Sequence, residues 1–240
     1  MPANKILENN VRGFFNRSLL VSRPVNAGQF FGFRKMRGAG RALAGVLALF
    51  LAGTAVAASD PYREVEVVTD RMLVAIKKNS GYLNSNPQRY YSSIDAVLEP
   101  IVDFNYIARG VMGNYAKQAN AQQRAAFVKV FRKDLVATFA RGVVDFGNMK
   151  VKVVNPGKTP DGARRVNVIQ EVRSSEGLTK VSYTMARNKS GDWKLINVVL
   201  NGVNLGKTFR SQFSQAMKQK GDIGKVIKEW SAAEKVAEQV

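Results

Sequence analysis

Apolar residues recur every three or four positions from residue 60 to 142, every second position from 151 to 200, and again every three or four from 205 to 230. The first and last stretches therefore predict helices and the middle one predicts strands. Asp60-Pro61 reads as a cap and first helical residue, followed by a stripe of Val65, Val68, Met72 and Ile76 that Gly81 ends. Glu64, Glu66 and Asp70 on this helix suit a solvated face near its positive end rather than a metal cluster. Asn86-Pro87 starts a second helix with Tyr90, Ile94, Val97 and Leu98 on its buried face, and Pro100 breaks it. Asp103 is placed to cap a short helix closed by Gly113. Asn120 and Gln123 form a capping-box pair at the head of a long helix running to about Gly142. Its Phe127, Val130, Phe131, Leu135, Thr138 and Phe139 form one stripe, expected to lie against the sheet.

Four strands are predicted: Val151–Val154, Arg165–Val172, Leu178–Met185 and Trp193–Leu200, separated by turn-rich segments. Short connections favour an antiparallel meander. In the last strand, Trp193, Leu195 and Val199 are expected to point one way and Ile196, Val198 and Leu200 the other, so both faces are covered. Asn201-Gly202 is a turn signal, and a helix begins near Thr208 with Phe209 and Phe213 four apart on one face. Asp222 to Val240 reads as a charged helix with Ile223, Val226, Ile227 and Trp230 as its apolar side and a fraying end. The class is α+β: a curved four-stranded antiparallel sheet, NTF2-like in character, with helices packed on it around an apolar cavity.

The segment Gly202-Val203-Asn204-Leu205, followed by Phe209-Arg210-Ser211-Gln212-Phe213, resembles the Gly-Val-Ser-Leu…Tyr-Arg-Ser-Gln-Phe signature of the MlaC family. These are periplasmic phospholipid-binding proteins of the toluene-tolerance type, the soluble component of an ABC-transporter lipid pathway. The resemblance extends from about Asp60 to Trp230. Asn197, Asn201 and Asn204 stand where the family usually shows Asp, Glu and Ser, and Phe209 replaces Tyr. These changes remove charge from the loop and leave the apolar positions intact.

Composition narrows the chemistry. The chain has no His and no Cys, which removes imidazole bases, thiolate nucleophiles and the usual zinc ligands. Walker, dinucleotide, nucleophile-elbow and EF-hand motifs are missing too. No enzyme activity, metal or cofactor is expected. An alternative, an NTF2-like enzyme with an Asp or Tyr acid/base pair, finds no paired carboxylates at matching positions. A second alternative is an exported adaptor whose interior is only core.

The first 57 residues differ from the rest. Met36–Arg41 is a short basic segment, Ala42–Ala52 is apolar but shorter than the ~20 residues of a membrane span, and Ala55-Val56-Ala57 is a small-x-small cleavage site. A cleavable export signal over 36–57 is expected, with a mature start near Ala58 and one domain over 58–240. Residues 1–35 then read as an upstream extension, Met36 being the expected translation start. The net charge of +19 falls to +12 without the leader's eight basic and one acidic residues. For an exported chain such a bias suits anionic lipid headgroups or acidic proteins rather than nucleic acid.

The resemblance implies a monomeric carrier of phospholipid as cargo, working between an inner-membrane MCE-protein/ABC complex and an outer-membrane lipoprotein associated with a porin. About 30 tail carbons at ~0.8 kcal/mol each oppose passage through water by on the order of 24 kcal/mol, which an apolar cavity removes. Phe104, Tyr106, Phe127, Phe131, Leu135, Tyr183, Met185, Val199, Phe209 and Phe213 are the expected pocket walls, chosen from inward periodic positions and the family motifs. Arg210 is the candidate for a phosphate at the mouth, with a structural ion pair as the competing role.

Overall fold

The computed structural model describes residues 60–144, 149–154, 159–174 and 177–230. The leader, Ala58, part of the Asn155–Gly162 connection and the last ten residues lie outside the described residues. Helices α1 (Pro61–Asn79), α2 (Tyr82–Ser85), α3 (Pro87–Leu98), α4 (Phe104–Met112), α5 (Tyr115–Gln118) and α6 (Ala121–Gly142) come first. Strands β1 (Lys150–Val154), β2 (Arg165–Ser174), β3 (Gly177–Arg187), β4 (Trp193–Leu200) and β5 (Val203–Asn204) follow, then α7 (Leu205–Lys220) and α8 (Ile223–Lys228). None of the described helices is long and apolar enough to cross a membrane.

The caps sit where the local sequence puts them. Asp60 accepts from the backbone N–H of Tyr62 and Arg63, Asn86 from Arg89, and Asp103 from Tyr106 at 2.8 Å. Asn120 and Gln123 close both arms of the capping box, at 2.8 and 2.9 Å. Along α1, Tyr62, Val65, Met72 and Ile76 are buried, while Val68 is half-buried.

Sheet order is β1-β2-β3-β4-β5, every neighbour antiparallel, so the meander is as expected. The expected four strands gain a fifth of two residues. Asn201 (φ 48°) and Gly202 (φ 86°) both adopt left-handed backbone, which turns the chain back at once and pairs Val199 with Asn204 and Leu200 with Val203. The Asn-Gly signal marked the turn, but two residues are too few for an alternation to register as a strand.

The faces of β4 differ from the expected alternation. Leu195 pairs with Met185 and Asn197 with Thr184, which leaves Ile196 as an extra residue in a bulge. Residues paired across strands share a face, so Trp193 and Leu195 lie with Val198 and Leu200, and Val199 lies on the other side. No residue of β4 is exposed, as a strand covered on both faces requires. The free side of β4 is also covered. Leu195 donates its N–H to the Ile101 carbonyl (2.8 Å) and accepts from Asp103 N–H (3.0 Å), while β5 takes the far end of the strand.

Two apolar cores result. The first lies between the sheet and α1, α3 and the second half of α6, and includes Ile76, Ile94, Ala140, Val168, Met185 and Trp193. The second is helical, built from α4, α5, the first half of α6, α7 and α8. Helix α6 serves both. Phe127 and Phe131 enter the second core, whereas Val136 and Ala140 enter the first. The single stripe expected to lie on the sheet is thereby corrected: the helix is apolar on more than one side, and Phe139, counted in the stripe, is 37% exposed. Helix α8 ends at Lys228, Trp230 folds into the second core, and the rest of the expected helix, 231–240, lies outside the described residues. Between α3 and α6, Arg132 makes a two-pronged ion pair with Asp95 (2.8 and 2.9 Å) and lies 4.9 Å from the Phe104 ring centre.

Candidate functional site: the sheet–helix interlayer and the α7 motif

The interlayer of the first core is closed at its centre. Tyr90, Ile94, Val168 and Met185 are 0% exposed, so no water-sized space reaches them. Its rim is different. Val68, Tyr82, Leu83, Val166, Tyr183 and Leu195 pack against the core yet remain partly exposed. One polar chain crosses this apolar layer. Tyr183 donates its hydroxyl to Gln170 Oε1 (2.8 Å), Gln170 Nε2 donates to Thr69 Oγ1 (2.7 Å), and Thr69 donates to the Val65 carbonyl (2.7 Å). Gln170 is 4% exposed, so its amide depends on these partners. Burial pushes the Tyr183 phenol well above the ordinary tyrosine range.

The second core is an aromatic cluster. Phe127 and Phe213 meet edge to face with ring centres 4.9 Å apart, Phe127 and Trp230 do so at 5.2 Å, and Phe131 and Phe209 at 5.5 Å. All five rings are 4% exposed or less.

The residues expected to wall one pocket therefore divide. Phe104, Met185 and Tyr183 belong to the first core, and Leu135 packs against both. Phe127, Phe131, Phe209 and Phe213 pack on one another in the aromatic cluster. Tyr106 is 50% exposed, its hydroxyl accepting from Arg165 Nη2 at 3.3 Å. Val199 is half-buried on the sheet face opposite Tyr183. Arg210 is exposed beside Gly113, on the aromatic-cluster side, in a cleft of about 480 Å³ lined also by Met112, Tyr115 and Ser214. Gln170 and Thr69 were missed. Their signal was a polar residue at an inward position of β2 and another on the buried side of α1.

The motif around α7 has a structural role at each polar position. Gly202 completes the turn, Asn204 accepts from Lys207 N–H (3.0 Å) as the helix cap, and Asn197 Oδ1 accepts from Gly206 N–H (3.1 Å). A neutral amide makes each of these bonds, at position 197 in place of the Asp usual in the family and at 204 in place of its Ser. A Cβ on Gly206 would stand 2.6 Å from Asn197 Oδ1. Gly206→Ala should therefore displace Asn197, break its bond to the backbone and lower stability by about 1 kcal/mol despite alanine's better helix propensity. Urea titration of the variant tests this; a midpoint equal to or above the wild type would show that Asn197 does not hold the turn.

Comparison with known proteins supplies the context for this architecture. The family described as "MlaC protein" matches residues 66–232. Toluene tolerance protein ttg2D of Pseudomonas putida is 34% identical over 187 residues, spanning 77% of this chain and 86% of its own. The intermembrane phospholipid transport system binding protein MlaC of Haemophilus influenzae is 28% identical over 164 residues, spanning 67% of this chain and 76% of its own. Among solved structures, a phospholipid-binding protein from Ralstonia solanacearum in complex with a phospholipid shares the fold, with a TM-score of 0.66 at 22% identity over 75% of this chain and 98% of that one. With its sheet, the α7 motif and every described helix except the first residues of α1 inside the matched region, this chain belongs to the MlaC family.

Proposed function

We propose that the protein is a periplasmic phospholipid carrier that moves lipid between an inner-membrane MCE-protein/ABC complex and an outer-membrane lipoprotein–porin complex, and so maintains outer-membrane lipid asymmetry. On this reading it is exported by the 36–57 signal, works as a monomer from about Ala58, and performs no catalysis. The observation that carries the reading is the apolar interlayer between the sheet and α1, α3 and α6, whose rim residues Val68, Tyr82, Leu83, Val166, Tyr183 and Leu195 pack on the core yet stay partly exposed.

Acyl chains enter by parting the sheet from α1, α3 and α6. Phe104, Leu135, Tyr183 and Met185 then contact the tails, and the aromatic cluster keeps the helices together while this happens. Tail carbons replace side-chain contacts with equally apolar ones, so the exchange with a membrane is near balance while passage through bare water is not.

The test is native mass spectrometry of the full chain expressed with its own leader and purified from the periplasm without detergent, followed by lipid extraction. One or two phospholipids per folded molecule are expected, with a fall in thermal stability on delipidation, since a ligand bound only by the folded state stabilises it. A bare mass from folded protein, with stability unchanged by added lipid, would overturn the proposal.

A further inference from the structure

Helix α4 runs between two clefts. One, about 410 Å³, is lined by Asp103, Tyr106, Arg109, Met112, Arg124 and Val128 among others, and the other is the 480 Å³ cleft beside Arg210. Met112 is a wall of both. Three guanidinium groups border them and only one carboxylate, Asp103, whose Oδ1 accepts from Tyr106 N–H. Arg124 is held in place by donating to the Ala116 and Ala119 carbonyls. The Arg109 and Arg210 guanidinium groups make no hydrogen bond or ion pair among the described residues. Arg210 approaches so near that a Cβ on Gly113 would meet its Nε at 3.0 Å, and the left-handed Gly113 (φ 57°) ends α4 in the way that permits this.

We propose that this surface docks an acidic segment of a partner protein, its carboxylates entering the two clefts against Arg109 and Arg210 and its backbone crossing Met112 beside the exposed Tyr106. Charge complementarity selects the sign of the partner: free guanidinium groups at a concave surface fit carboxylates with two parallel bonds. Shape selects a protein over a bilayer. A membrane offers a plane and binds an apolar face, but Tyr106 is the one large apolar side chain exposed on α4. Other large exposed apolar residues among those described, Val74, Phe139, Val154, Ile169 and Val203, lie on other elements. Tyrosine and arginine are also the residue types that dominate binding energy at protein interfaces. The inference rests on the carrier reading for why a donor or acceptor must dock, and it places that docking away from the interlayer.

The experiment titrates a short Glu-rich peptide into the 15N-labelled exported protein and follows amide shifts at low salt, with Arg109→Glu and, at the far sheet edge, Lys152→Glu as variants. Shifts should be confined to α4, α5 and the start of α7. Arg109→Glu should weaken the peptide by tenfold or more and Lys152→Glu by less than twofold. Equal weakening by both, no binding at all, or shifts of the α4 amides by phosphatidylglycerol vesicles and not by the peptide would overturn it. Lipid recovered with Arg109→Glu should equal the wild type; a wild type that itself carries no lipid would instead count against the carrier reading, whatever the peptide does.

Discussion

Replacing Phe213 by Ala is expected to lower the unfolding free energy by about 3–5 kcal/mol. Phe213 is 0% exposed and its ring meets three others: Phe127 at 4.9 Å, Trp230 at 5.6 Å and Tyr115 at 6.1 Å between ring centres. Truncation removes the burial of a phenyl group, leaves a cavity that rigid neighbours fill poorly, and forfeits the edge-to-face contact with Phe127, worth roughly 0.5–1.5 kcal/mol. Helices α4, α6, α7 and α8 all lean on this cluster, so the loss should appear in global stability, as a lower urea midpoint at unchanged slope. Lipid per folded molecule should stay at the wild-type level. A stable Phe213→Ala that has lost its lipid would move the tails from the interlayer to the aromatic cluster.

The second large effect concerns the polar chain in the interlayer. Gln170→Leu should cost about 1–3 kcal/mol, because the buried Tyr183 hydroxyl loses its acceptor while Thr69 keeps its bond to Val65. Adding Tyr183→Phe should restore much of the loss, since two apolar groups then face each other; a double variant no better than Gln170→Leu alone would mean that the penalty is steric. The tyrosine also sets an alkaline limit. Its folded pKa is raised, so its contribution is complete below the unfolded value of about 10 and is lost as pH rises through the folded one. Above about pH 10, stability of the wild type should fall more steeply than that of Tyr183→Phe.

Much of this architecture was legible in the sequence where the deciding interaction is local. Asp60, Asn86, Asp103 and Asn120 cap helices by reaching two or three residues along the chain, and alternation along β2 and β3 marks Val168, Val172, Val181 and Met185 as inward. What periodicity does not carry is the identity of the opposing surface. Phe127 and Phe131 are as buried as the stripe implies, yet against α7 and Trp230 rather than the sheet. The bulge at Ile196 was hidden because apolar residues stand on both faces of β4, at Leu195, Ile196, Val198, Val199 and Leu200, so a one-residue slip exchanges faces that are both apolar. The apolar positions of the family motif were readable from the sequence, but their place in a closed cluster depends on Trp230, seventeen positions beyond Phe213.

The junction of Ile101 and Asp103 with Leu195 has a kinetic consequence. Every strand of the sheet pairs with its neighbour in sequence, so the meander can grow hairpin by hairpin with short loop closures. The chain carries no cysteine whose pairing could delay it. The backbone bonds at Leu195, and the Lys194 ammonium donating to the Pro100 carbonyl across 94 positions, close a long loop onto β4. Closing that loop fixes the cap of α4 at the same moment. The refolding rate should thus be governed by the encounter between the helical half and a sheet that is already assembled.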